Sequence, residues 1–538
     1  MYVEEIVTKR KGKEYRTLLV RESFRVGSTV SHRTLANISH LPRGCVEEIK
    51  RYLQGKTADL DFSQVQVVDS KEYGASQSVL SIARKLELDT AINFRRVQWR
   101  EDVLAMIAGR LLYQGNELSL TNMFADTVLW ESCGHSPNTQ PDISEHCYYP
   151  LERLLAKQES IQKKLADKHL EKGAIALFYL ASTIVREQVE SFELSDKDRK
   201  HRYKEINTGL LTNSLGCPIA IEILPSPGFK RVELQGQIKK IADKFGLQSV
   251  VFVGDREILN ENCIAEINVQ GFRTITALKQ NQIHALIERK VVFLNLFSVN
   301  QLHEVNDPDN SSWRYILCLN QERKEEQLLI RNEFIKKTEE LLIKIQRSKE
   351  KEIQVITAAV GKIWTNYKTE KFFDWHVQDG KLHFSVNTFQ VQQEQQLDGC
   401  FIIFTDVEKK IMSALETVNS YQKLLQVKQS LRIIKTISVE LCPISLDTRV
   451  QAHVLLSMLS YYLEWHMNKK LAGIFKREGK NKVRSWTFTE AIERLKSIRS
   501  QTIRIGNITL DQVKTTLDEE QREIVSALGV ALVAKLHA

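Results

Sequence analysis

The chain has 538 residues, 42% hydrophobic and 27% charged, which is longer than one core comfortably serves, so a folded protein of two or more domains is expected. Its 76 Lys and Arg against 67 Asp and Glu give a net charge of +9, a moderate excess that fits a polyanionic partner. No apolar run reaches the ~18 residues of a membrane span, the start MYVEEIVTKRKGKEY has no apolar signal core, and the eight cysteines form no CxxC pair. A membrane or secreted protein is therefore not expected, and a cytoplasmic location with reduced thiols is.

Residues 1 to 60 combine short β-branched runs with the turn Val26-Gly27-Ser28 and the cations Lys9, Arg10, Lys11, Lys13, Arg16, Arg21, Arg25 and Arg33, which predicts a hairpin with a basic face. From Ser76 to Leu170, EDVLAMIAGRLLY and YPLERLLAKQESIQKKLADKHL space apolar residues by three and four, which predicts helices. The period then changes. AIALFYLAS predicts a strand, TGLLTNSLGCPIAIEILPSP a hairpin turning at Asn213 to Gly216, VELQGQIKKIADKFG a helix ended by Gly246, and SVVFVGD a buried strand. NENCIAEINVQG reads as a further helix ended by Gly271, and RTITALK as a strand, so a mixed α/β sheet is predicted. Residues 291 to 394 interrupt it with a long charged helix and a β-like stretch turning at Asp379-Gly380, after which GCFIIFTD resumes the sheet and two long helices follow.

These strings, in order, resemble the insertion-sequence-four superfamily of DDE transposases, in its long branch with a large insertion before the last catalytic element. The resemblance begins at LLVRESFRVGSTVSHRTLANISHLP, passes through LLAKQESIQKKLADKHL, GLLTNSLGCPIAIEILP and SVVFVGDREIL, and ends in VQAHVLLSMLSYYLEWHM, roughly 450 residues in all. It implies a ribonuclease H-like mixed sheet with flanking helices, a mostly helical N-terminal region with a small basic β entry module, and an α+β insertion. The boundaries expected are 1–165 for the basic and helical DNA-binding region, 166–290 with 395–475 for the core, 291–394 for the insertion and 476–538 for a C-terminal tail.

The family's chemistry, by the same resemblance, uses three carboxylates that hold two Mg²⁺ for strand cleavage and transfer, and Mg²⁺ requires hard oxygen ligands. The second carboxylate is present as Asp255, followed by Arg256 as the family pattern requires. The first falls on Leu180 in Phe178-Tyr179-Leu180-Ala181-Ser182, and Glu187 and Glu190 lie further along. The third belongs to a signature of Tyr, two residues, Arg, three residues, Glu, six residues, Lys; Tyr421 and Lys435 are in register, but Leu424 replaces the Arg and Lys428 the Glu. The usual turn after the third strand is replaced by Ser226-Pro227-Gly228.

Two readings follow. In one, the chain binds double-stranded DNA at the element's terminal repeats, as a homodimer and through Arg10, Lys11, Lys13, Arg16, Arg25 and Arg33, but does not cut, has no metal at Asp255 and sets the Lys428 ammonium against the Asp255 carboxylate. In the other it is an active, Mg²⁺-dependent transposase in which ligands outside the signature join Asp255. Separately, Cys133, His135, His146 and Cys147 have poor spacing for zinc and read as loop residues, and His466 reads as a helix-packed histidine.

Overall fold

The computed structural model describes residues 1–10, 13–26, 29–55, 65–113, 117–171, 175–187, 202–224, 245–247, 249–298, 302–348, 352–431, 446–479, 482–505 and 508–532. The chain forms two compact units, Met1–Pro150 together with His466–Ala538, and Leu151–Trp465.

The first unit opens with an antiparallel meander of β1 (Tyr2–Arg10), β2 (Lys13–Val26) and β3 (Thr29–Asn37), in register from Tyr2 opposite Arg21 to Val26 opposite Thr29. Opposite charges face each other across it, Glu4 with Arg21, Glu5 with Arg16 and Glu22 with Arg33, which favours this register. A helix, Arg43–Leu53, and β4 (Val65–Glu72) follow, and then the helices Gly74–Lys85 and Gln98–Tyr113, which pack on each other. In the latter every residue from Arg100 to Arg110 is buried, charged ones included.

The second unit is a mixed α/β fold around one eight-stranded sheet in the order β10-β11-β14-β9-β8-β5-β6-β7. Its strands are β5 (Ile175–Glu187), β6 (Arg202–Asn213), β7 (Pro218–Leu224), β8 (Ser249–Gly254), β9 (Arg273–Ala277), β10 (His303–Asn306), β11 (Arg314–Leu319) and β14 (Cys400–Thr405). β5, β8 and β9 run parallel and the remaining pairs antiparallel. The buried runs Ala176–Ala181 and Val250–Val253 make the centre of the sheet continuous apolar strands, as expected where both faces are covered. Phe178 and Phe252 meet edge to face at 5.2 Å, and Gly209 on β6 makes room for them: a Cβ there would lie 2.0 Å from the Phe178 ring.

The segment expected to interrupt the sheet from residue 291 in fact begins by extending it, because β10 and β11 hydrogen-bond onto β14. The excursion proper runs through the helices Gln321–Gln346 and Ile353–Tyr367, the hairpin β12 (Phe373–Gln378) and β13 (Lys381–Val386), and the helix Thr388–Gln396. It encloses its own core of Leu342, Ile356, Val360, Trp364, Phe373 and Leu382. The long helices Ala414–Leu431 and Leu446–Phe475 follow β14.

The C-terminal segment is built into the first unit rather than trailing from it. After the short hairpin β15 (Lys476–Gly479) and β16 (Lys482–Ser485) and the helix Phe488–Lys496, β17 (Arg499–Ile505) pairs on one side with β4, from Arg499 opposite Glu72 to Ile505 opposite Val65, and on the other with β18 (Ile508–Lys514). The helix Glu519–Leu528 then contacts Gly74–Lys85.

Candidate functional site

Asp255 follows β8 directly, and the local sequence fixes its side chain. Its Oδ1 accepts from the backbone N–H groups of Glu257 at 3.0 Å and Ile258 at 3.1 Å, while its backbone oxygen accepts from Leu259 N–H at 2.8 Å. Leu180 lies on the neighbouring strand, its backbone paired with Gly254 in the parallel β5–β8 register, and is 2% exposed. A small apolar cavity borders it, lined among others by Ala181, Leu224 and Ile258. The helix Ala414–Leu431 packs on β5 and β8, anchored by buried Leu424 and Val427, and brings two side chains of one face to the end of the sheet: Tyr421 and, two turns on, Lys428. The Lys428 ammonium donates to Asp255 Oδ2 in a direct ion pair.

Burial alone would raise the Asp255 carboxyl, but the hydrogen bond and charge of Lys428, helped by the amides of Ile258 and Glu257, outweigh it and hold the group below the usual carboxylate range. Burial first, and then the charge of Asp255, push the Tyr421 phenol up. These residues do not fit a two-Mg²⁺ centre. One carboxylate is present, its Oδ2 faces an ammonium, and the neighbouring strand position is an alkyl group.

Glu187, Glu222 and Asp406 do not repair the set. β5 stays extended to Glu187, so that residue is about 23 Å from Leu180 along the strand. Glu222 is in register with Leu180 through Gly209, but two strand spacings away, about 10 Å. Asp406 follows β14 at the opposite end of the sheet, where its Oδ1 accepts from Thr274 N–H at 2.6 Å. Glu190, Ser226-Pro227-Gly228 and Lys435 lie outside the described residues.

The N-terminal cations sit on the β1–β3 meander. Arg16, Arg25 and Arg33 are exposed; Arg16 reaches Glu5 at 3.4 Å and Arg33 reaches Glu22 at 2.7 Å, so both are partly neutralised, whereas Arg25 has no ion-pair partner among the described residues. Arg10 and Lys13 are backbone partners at the end of the first hairpin, and Lys11 lies outside the described residues.

Of the Cys-His group, the structure gathers only the histidines. His135 Nε2 stands 2.6 Å from Asp102 Oδ1 and His146 Nδ1 stands 3.2 Å from Asp102 Oδ2. Cys133 is fully buried, its thiol pushed up by burial, and neither it nor Cys147 joins that cluster. Asp102 escaped the sequence reading because its helix shows only helical periodicity, with its partners 33 and 44 residues away. His466 lies within the helix Leu446–Phe475.

Residues 3–64 match the family model described as the IS1634 family transposase, N-terminal domain. That match supports an insertion-sequence transposase family for this chain. The matched segment comprises the β1–β3 meander with its arginines and the helix Arg43–Leu53. A comparison with curated proteins finds no match. Among the described residues, no helix is long and apolar enough to cross a membrane.

Proposed function

We propose that this transposase-family protein is a DDE transposase of the insertion-sequence-four superfamily, with a ribonuclease H-like core, that binds element ends without cleaving them. The observation that carries the reading is the Lys428–Asp255 ion pair. In the proposed ancestry, Asp255 is the surviving metal ligand, and Leu180 and Lys428 stand where its partner carboxylates stood. An ammonium hydrogen-bonded to the carboxylate supplies the positive charge that Mg²⁺ would otherwise bring, so the end of β8 stays compensated without an ion. A two-metal mechanism needs both ions to activate the attacking oxygen and to stabilise the leaving one, and that route is closed here.

Binding is assigned to the N-terminal cations, Arg25 foremost because no carboxylate pairs with it among the described residues, together with Arg10, Lys11, Lys13, Arg16 and Arg33. Such a surface neutralises phosphates of double-stranded DNA and releases counterions. The protein acts in the cytoplasm, as a homodimer on paired terminal repeats. Fluorescence anisotropy with a terminal-repeat duplex and an unrelated duplex tests this: the repeat is expected to bind tighter, with affinity falling steeply with salt. Equal, salt-independent affinities would refute the assignment.

A further inference from the structure

We propose that Asp102, His135 and His146 form a binding site for one divalent transition-metal ion of the zinc class within the first unit. Three ligand atoms converge there, one from each residue, all within 4.8 Å of one another. They come from separate elements: Asp102 from the helix Gln98–Tyr113, His135 from the loop after the helix Leu129–Ser132, and His146 from a π-helical turn, Ser144–Tyr148. Single π turns are uncommon and concentrate at functional positions. This one is pinned by Asp142 Oδ1, which accepts from the N–H groups of Ser144 at 2.8 Å and Glu145 at 2.9 Å, and it turns His146 toward Asp102.

The electrostatics ask for a cation. The Asp102 side chain is 2% exposed, those of His135 and His146 8% and 20%. No arginine or lysine pairs with Asp102 among the described residues; the nearby Arg84, Arg96 and Arg100 all pair with Glu101, the next residue back. A buried carboxylate needs compensating charge, and its polar partners are two imidazoles and the Gln98 amide.

The hydrogen bonding around His135 Nε2 accommodates a cation. Gln98 Nε2 has two N–H groups and three neighbours, Asp102 Oδ1 at 2.8 Å, Cys133 O at 3.1 Å and His135 Nε2 at 3.0 Å. Both N–H groups of Gln98 have acceptors in Asp102 Oδ1 and Cys133 O, so His135 Nε2 is left to face the Asp102 oxygen, at 2.6 Å, across a position that either a proton or a metal ion can take. A metal ion there would replace the proton, move the two atoms apart, and leave Gln98 to orient the ligands from outside. Two imidazoles and one carboxylate suit Zn²⁺, Co²⁺ or Fe²⁺ far better than Mg²⁺, which prefers oxygen alone, and three protein ligands leave a position for water on the more exposed His146 side.

Cobalt titration of the full chain after chelator treatment tests the site. Wild type is expected to take up a Co²⁺ equivalent at micromolar concentration with visible d–d bands and no thiolate-to-cobalt charge-transfer band, and to release it to Zn²⁺. His146→Gln, on the exposed edge, and the double variant His135→Gln/His146→Gln are each expected to lose that equivalent while keeping the wild-type circular dichroism, and Gln98→Ala to bind about tenfold more weakly. The inference fails if wild type takes up no Co²⁺, if the equivalent survives in folded His146→Gln and in the double variant, or if a thiolate band shows that cysteine holds the ion. Should either histidine variant fail to fold, the wild-type titration still decides, together with a rise in Tm on adding Zn²⁺ that chelator reverses.

Discussion

Replacing Lys428 with Met keeps the aliphatic stem on the helix Ala414–Leu431 and removes the ammonium from Asp255, leaving the two amide hydrogen bonds from Glu257 and Ile258 in place. A hydrogen bond to a charged group contributes about 1.5–3 kcal/mol, and with the side chains 31% and 22% exposed part of that is screened, so a loss of about 1–2 kcal/mol is expected at neutral pH. For a unit of this size that lowers Tm by about 2–3 °C. Asp255 is held below its ordinary 3.8 in the folded chain, so the stability it contributes is present above that value and is lost as pH falls through the depressed one. The gap between wild type and Lys428→Met is therefore expected to be full at pH 7 and to close in strongly acidic solution. Calorimetric melts of both proteins across that range measure it. A gap that is absent at pH 7, or that persists undiminished once Asp255 is protonated, would refute the argument, since the second outcome would assign the effect to packing.

Glu72 is the opposite case: burial first raises its carboxyl, against hydrogen bonds from Ser76, Tyr113 and the amides of Ala75 and Ser76. Its contribution is full below the unfolded value near 4.5 and lost as pH rises through the higher folded value, so melts of Glu72→Gln are expected to show a smaller decline in stability on raising pH than wild type. Gly209→Ala forces a Cβ to within 2.0 Å of the Phe178 ring and is expected to cost about 1–3 kcal/mol or more by overpacking, read from urea unfolding of the full chain. The triple change Arg16→Ala, Arg25→Ala, Arg33→Ala is expected to lower the salt slope of DNA binding by about 1–3, with Arg25 alone giving up to about 1.

The central sheet was legible because its strands are near-continuous apolar runs: AIALFYLAS and SVVFVGD have the length and bounding turns of buried strands, and they became β5 and β8. β10 was not, since HEVN is four residues long and only half-buried, and nothing local tells that it and β11 add to an edge rather than begin an excursion. Pairing of β17 with β4 joins segments more than 400 residues apart, which periodicity does not encode. At the candidate site, the meeting of Lys428 with Asp255 was readable because a spaced signature fixed the helix register. The Asp102 cluster was hidden for the converse reason: its residues share no spacing, and a buried Asp inside EDVLAMIAGRLLY looks like any polar position of a helix until the chain folds His135 and His146 onto it.

Strand cleavage of a terminal-repeat duplex by the full chain, with Mg²⁺ or Mn²⁺ supplied and DNA binding measured in the same samples, tests the central claim most directly. Binding without nicking is the expected result, for wild type and for Asp255→Ala alike. Metal-dependent cleavage by wild type that Asp255→Ala abolishes would contradict it.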